Sequence, residues 1–381
     1  MQLEDIQLQY KSFKEAGLFH RYITNKHIEP LLDNLGEQVN VETLGFSVLN
    51  KPIYGLKIGN GDKRILMWSQ MHGNESTTTK ALFDLFNTLL DRNNILKHIL
   101  DACTLYVIPI LNPDGAEAYT RLNANEVDLN RDAQNLTQPE SEVLRRVFKS
   151  FKPHYCYNLH GQRTIFSVGK SNKPATVSFL APAQDKACSI TSNRKEAMEV
   201  ISVMNDALQA LIPNQVGVYD DAFNLNCVGD TFQSENVPTI LFEAGHFHND
   251  YAREKTREFI YISYITSLCY ISNSNTIGDK YMGYFKIPEN RKCFYDVIIR
   301  NAKVNKEFLD IGIQFQERLI DNKIEFIPKV EKIEKLDSYF GHKEIEANEF
   351  EVYNNEGQLL KVNNENVFVI INNEKKSLIS K

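Results

Sequence analysis

No apolar run in this 381-residue chain is long enough to span a bilayer, which excludes an integral α-helical membrane protein. The first residues, MQLEDIQLQYKSFKEAG, lack the basic start and apolar core of a secretory signal, so a cytoplasmic location is expected. Basic residues form no cluster. With 43 of them against 49 acidic ones the net charge is −6, and a mildly acidic chain without a basic patch is a poor binder of nucleic acid. CxxC pairs are absent as well. The six cysteines (Cys103, Cys156, Cys188, Cys227, Cys269, Cys293) are widely spaced and read as reduced thiols packed as small hydrophobes.

The composition that remains is that of a soluble globular chain, with 42% hydrophobic and 24% charged residues. Its length exceeds what one core normally organises, so two domains are expected. Residues 1–40 read as a helical lead-in, with Leu31, Leu32 and Leu35 on one helix face. Val41–Leu49 and Ile53–Ile58 are strand-like. Four short apolar runs follow that suit buried strands: Ile65–Trp68, Leu105–Leu111, Tyr155–Leu159 and Thr239–Phe242. Helical spacing separates them, at Thr77–Leu90, Pro139–Phe151 and Arg194–Leu211, and a long helix over Arg253–Tyr270 ends the series. This alternation predicts an α/β domain over residues 1–275, with a mixed, largely parallel sheet flanked by helices. SNSNTIGDK reads as a linker, and residues 280–381 as a small β-rich domain with a hairpin turn at NNEG. From Lys280 to Lys381 there are 17 basic and 17 acidic residues, so the whole of the −6 belongs to the first 279.

Four strand ends carry groups capable of chemistry. The first strand runs into His72-Gly-Asn-Glu75, a spacing at which an imidazole and a carboxylate can share one metal ion. His98-Ile-Leu-Asp101 has the same spacing but sits where a helix meets a strand, and reads as structural. Asn158-Leu-His160 presents a histidine at the same end of a parallel sheet, where functional groups gather beyond the carboxyl ends of strands. Two histidines, one carboxylate and an open position are a catalytic zinc arrangement. Glu243 closes the fourth apolar run and, beside an activated water, is a natural general base. The remaining strand end, after Leu105–Leu111, runs into Asn112-Pro-Asp-Gly115, followed by Arg121 and the pair Asn130-Arg131. An arginine beside an amide can grip a carboxylate, and Arg121 can stabilise an oxyanion.

In this order the elements HxxE, NPDG, Asn-Arg, His and Glu resemble the zinc carboxypeptidase (metallocarboxypeptidase) family over roughly residues 40–270. TRLNANEVDLNRD looks like its bacterial branch, which includes the murein-peptide amidases. The resemblance implies one Zn2+ per chain held by His72, Glu75 and His160. Glu243 is then the general base and later the proton donor, and Arg121 polarises the scissile carbonyl. Asn130 and Arg131 bind a terminal carboxylate, and Tyr219 is the tyrosine that closes over it.

The implied activity is hydrolysis of the C-terminal amide bond of a short peptide or muropeptide with a free carboxylate. A murein-peptide amidase, a zinc N-acyl amino acid deacylase and an inactive carboxypeptidase-like binding module are the alternatives. Chelation separates a catalytic zinc, whose loss spares the fold, from a structural one. Arg163 is a rival of Arg121 for the oxyanion. Asp132 stands where relatives often carry asparagine and is expected to weaken anion binding nearby. His246 and His248 read as structural or rim residues. Side-chain selectivity is expected from a pocket floor within residues 224–232, where Val228 and Asp230 pull in opposite directions.

Overall fold

The computed structural model describes residues 3–91 and 95–379. Two helices, α1 (Leu3–Phe13) and α2 (Asn25–Leu32), lead into strands β1 (Val39–Phe46), β2 (Pro52–Ile58) and β3 (Lys63–Ser69). Then come α3 (Thr77–Leu90), α4 (Lys97–Ala102), β4 (Cys103–Ile108), α5 (Pro113–Ala118), α6 (Pro139–Phe151) and β5 (Tyr155–Gly161). β6 (Phe166–Val168), β7 (Val177–Leu180), α7 (Ser192–Gln209), β8 (Val216–Val218), α8 (Val228–Ser234), β9 (Thr239–Ala244) and α9 (Glu254–Asn273) complete the larger part.

Eight strands form one mixed sheet in the order β1-β2-β4-β3-β5-β9-β7-β8. The four apolar runs are its parallel centre, β4-β3-β5-β9, and antiparallel strands flank it on both sides. Alternation along β3 shows why it is buried on both faces. Ile65 and Met67 point into the core beneath α3, α7 and α9, whereas Leu66 and Trp68 point to the opposite layer with Val143, Leu144 and Phe232. β3 is also where strand order reverses, because its neighbours β4 and β5 lie on opposite sides. The crevice beyond such a reversal is where open α/β sheets carry their ligands.

The last two strands of the order, β7 and the edge strand β8, carry no sequence signature, being four and three residues long. The polar stretch expected as a linker is tied down: Lys63 Nζ donates to the carbonyls of Ile271 (2.5 Å) and Ser274 (2.8 Å), and Gly278 N–H donates to Glu199 Oε2 (2.6 Å). The chain stays with the larger part through β10 (Asn290–Lys292), which pairs with β6.

Beyond it, β11 (Phe294–Val304), β12 (Glu307–Ile320), β13 (Lys323–Glu334) and β14 (Phe340–Glu346) form a four-stranded sheet. β15 (Val352–Tyr353), β16 (Phe368–Ile371) and β17 (Glu374–Ser377) form a three-stranded one, and a core around Val297, Ile313, Val330 and Val369 joins the two. NNEG is a turn, with Asn354 N–H donating to Gln358 O at 2.8 Å. Among the described residues no helix is long and apolar enough to cross a membrane.

Candidate active site

The HGNE turn is shaped by close approach. Gln70, just past β3, has φ +44°, a strained value for a residue with a side chain, and its amide holds Ile23 O (3.0 Å) and Gly73 O (2.8 Å). Gly73 packs against NPDG so tightly that a Cβ there would lie 1.9 Å from the carbonyl carbon of Gly115. In return Asn112 caps α5, accepting from Gly115 N–H (2.8 Å), and donates to Met71 O (3.2 Å). NPDG is therefore the shelf on which the HGNE turn rests.

On that shelf His72, Glu75 and His160 converge. His72 Nδ1 is 3.0 Å from Glu75 Oε1 and 3.1 Å from His160 Nδ1, and His160 Nδ1 is 2.9 Å from Glu75 Oε2. Four-coordinate zinc, with bonds near 2.0–2.2 Å, holds its ligand atoms about 3.3 Å apart, so this donor set fits the ion in chemistry and in spacing. A further contact supports one tautomer. His72 Nε2 lies 3.0 Å from Asp128 Oδ1, an acceptor when ionised, so with a metal on Nδ1 the ring proton would be held on Nε2. Burial raises the Glu75 carboxyl, but His72 and His160 outweigh it and hold it well below the usual range. Asp128 is likewise depressed, by His72 and Arg121 against burial.

In β-sheet register Glu243 is the direct partner of His160. Its Oε2 is shut off from solvent and has no hydrogen-bond partner among the described residues. Burial, with the nearby charge of Glu75, pushes its pKa far up, while Arg121 and Arg253 oppose this. Glu243 and the three-residue cluster line one cavity of about 370 Å³.

Arg121, Asn130, Arg131, Arg163, Tyr219 and Asp230 line the same cavity. Arg121 is half-exposed and forks onto Asp128 Oδ2 (3.0 and 3.1 Å), with Glu75 Oε1 at 3.5 Å. Asn130 Oδ1 accepts from the backbone of Val228 (3.0 Å), fastening the loop to α8. Arg131 Nη1 donates to Asn130 O (2.7 Å) and Cys227 Sγ (3.1 Å). Tyr219 is held through its hydroxyl by Gln162 Oε1 (2.7 Å). Burial raises Asp230 to a pKa of about 6.

Asp132 does not act on the cavity as expected. It is buried and turned onto the backbone and hydroxyl of Thr137 and the N–H of Gln138 at 2.8–3.0 Å, where it caps a loop. His246 is buried outside the cavity, its ring 4.3 Å from His342 of the β-rich segment, and His248 is exposed. His98 lies on α4, remote from the cluster. Asp128, Gln162 and Arg253 escaped the sequence reading. Arg253 donates to Ala244 O and Gln162 O, both at 3.0 Å, and so clasps the ends of the strands that carry Glu243 and His160.

A fold of this topology with a buried His-Glu-His cluster at its switch point belongs to a recognised class. The chain is a member of the zinc carboxypeptidase family, whose model matches residues 24–224, just over half of the sequence. Among individual relatives it is similar to carboxypeptidase SOL1 of Arabidopsis thaliana, 26% identical over 163 residues, 37% of this chain and 33% of that protein. Carboxypeptidase D of Mus musculus is 28% identical over 320 residues, 77% of this chain and 20% of that one. The chain spans a third or less of the length of these two relatives. Carboxypeptidase A from Helicoverpa armigera shares the fold with a TM-score of 0.52 at 16% identity, covering 70% of this chain and 80% of that one. A metallo-carboxypeptidase from Burkholderia cenocepacia does so at 0.51 and 15%, covering 65% and 69%.

Proposed function

We propose that this protein is a metallocarboxypeptidase that removes the C-terminal residue of a short peptide or muropeptide bearing a free carboxylate. One zinc ion per chain, held by His72, Glu75 and His160, supplies when bound a Lewis acid for the scissile carbonyl and for a water beside it. Glu243 takes the proton of the attacking water at its unpartnered Oε2 and passes it to the leaving amine. Arg121, at the cavity rim, stabilises the charge that develops on the carbonyl oxygen. Asn130 and Arg131 bind the terminal carboxylate and restrict cleavage to chain ends, and Tyr219 closes over it. Asp230, at the first turn of α8, favours a basic terminal side chain. The six cysteines form no disulfide, which supports a reducing compartment such as the cytoplasm.

The observation that carries this reading is Glu243. An acid with a solvent-shielded, unpartnered oxygen is costly unless the site uses it, and it faces the same cavity as the metal-binding trio. The test is turnover of a panel of C-terminal peptides, diaminopimelate-containing ones included, with and without chelator. Glu243→Gln should keep zinc and lose roughly a hundredfold to ten-thousandfold in kcat. A near-normal rate removes Glu243 from the role of base.

A further inference from the structure

Among the described residues none of the β-rich segment lines the cavity, yet one of its side chains reaches the support of the metal-binding trio. Glu317, on β12, inserts its carboxylate between two stretches of the larger part. Tyr119 Oη donates to Glu317 Oε2 at 2.5 Å, and the Arg21 guanidinium pairs with Oε1 at 2.9 Å. Tyr119 and Arg21 are buried, and Tyr119 is in the left-handed conformation that ends α5.

Each partner is one step from the turn that carries Glu75. Thr120, next to Tyr119, accepts through its carbonyl from Asn74 N–H at 3.2 Å. Arg21 accepts through its carbonyl from Ser76 Oγ at 2.5 Å. Asn74 and Ser76 flank Glu75. Two separate links therefore run from a single carboxylate of β12 to the two neighbours of one candidate metal ligand. Both links end on the Glu317 carboxylate, which is where they join. Its charge also balances a crowded cationic interior, since Arg253, which clasps the ends of β5 and β9, lies within the field of both Arg21 and Glu317.

We propose that Glu317 is a positioning residue for the metal site: through Tyr119–Thr120–Asn74 and Arg21–Ser76 it holds the Glu75 turn in its liganding geometry. The β-rich segment is then part of the metal site's frame. This inference rests on the reading of His72, Glu75 and His160 as metal ligands.

The test is zinc affinity of the full chain, measured by competition with a chromophoric chelator, beside a thermal melt. Glu317→Gln keeps size and one acceptor but removes the charge, and should weaken zinc about tenfold, within the range found when groups supporting a ligand are removed. Val330→Ala, in the core of the β-rich segment and away from both links, serves as the stability control: it should lower Tm and leave zinc affinity unchanged. Tyr119→Phe removes one link without disturbing packing and should weaken zinc by a smaller factor, which keeps the test open if Glu317→Gln does not fold. A Glu317→Gln or Tyr119→Phe protein that binds zinc as tightly as the wild type overturns the inference, as does a Val330→Ala protein that loses affinity in step with Tm. A wild-type chain that takes up no zinc refutes the metal reading itself, and this inference with it.

Discussion

Asp128 offers the sharpest test of how the trio is held. Its Oδ1 accepts from His72 Nε2 (3.0 Å) and from Asn130 N–H (2.9 Å), and its Oδ2 accepts twice from Arg121 (3.0 and 3.1 Å). Replacing Asp128 by Ala removes the acceptor that keeps the ring proton on Nε2. The imidazole is then free to move that proton to Nδ1, where it blocks a metal ligand, and to rotate. A hydrogen bond to a charged acceptor contributes about 1.5–3 kcal/mol, and loss of such outer partners weakens metal binding about 10–100-fold.

Arg121 adds a second effect of the same sign. Released from Asp128, it has Glu75 Oε1 already at 3.5 Å as its next anion and would compete with the metal for that carboxylate. Asp128→Ala should therefore lose affinity near the hundredfold end of that range, and Arg121→Ala placed on top of it should recover part of the loss. Asp128→Asn should lie between, because one amide oxygen can still face His72 while the amide N–H2 repels Arg121. The assay is chelator competition at fixed pH and ionic strength. If Asp128→Ala binds zinc within about twofold of the wild type, the Asp128 contact does not present Nδ1 and the tautomer argument fails.

Arg257 and Asp84 form a buried pair at 2.5 and 2.6 Å, with the guanidinium also bonded to the carbonyls of Leu18 and Glu15. Arg257→Ala strips buried Asp84 of its guanidinium partner and leaves only the Glu15 N–H (2.7 Å) on the carboxylate, so denaturant unfolding should show a loss of about 3–5 kcal/mol; a change below about 1 kcal/mol contradicts this. Asp230 titrates near pH 6, so a peptide ending in Lys should bind more tightly as pH rises through that value and the carboxylate forms. KM for such a peptide should fall across pH 5–7 and Asp230→Asn should abolish the trend, whereas a peptide ending in Leu should show neither effect.

Much of the fold was legible because its central strands are short apolar runs separated by amphipathic helices, and both patterns are local. Pro139–Phe151 and Thr77–Leu90 fall where their periodicity puts them. The short strands β7 and β8 were not legible, since three or four residues are too few to establish a period. Nor was the fastening of the stretch after Ile271. Its composition is that of a linker, and the lysine that holds it lies more than 200 residues earlier. In the site, residue type and order pointed to His72, Glu75, His160 and Glu243. Asp128 had no local mark, because an aspartate in a polar loop is ordinary until a histidine 56 residues away is 3.0 Å from it. Asp132 was misjudged for the same reason: which neighbour a short acid caps depends on the turn that follows.

By itself, then, the amino-acid order determined the inventory and its placement: imidazoles and carboxylates at the ends of apolar runs, and an α/β alternation that brings strand ends to one side. These are consequences of covalent spacing and of hydrophobic period, which act within a few residues. The tertiary structure decided which of nine histidines meet, that Asp128 stands against His72 Nε2, how deeply Glu243 is withdrawn from water, and that Glu317 of the β-rich segment reaches Tyr119 and Arg21. Those are properties of distance and local dielectric between groups far apart in the chain, and only folding sets them.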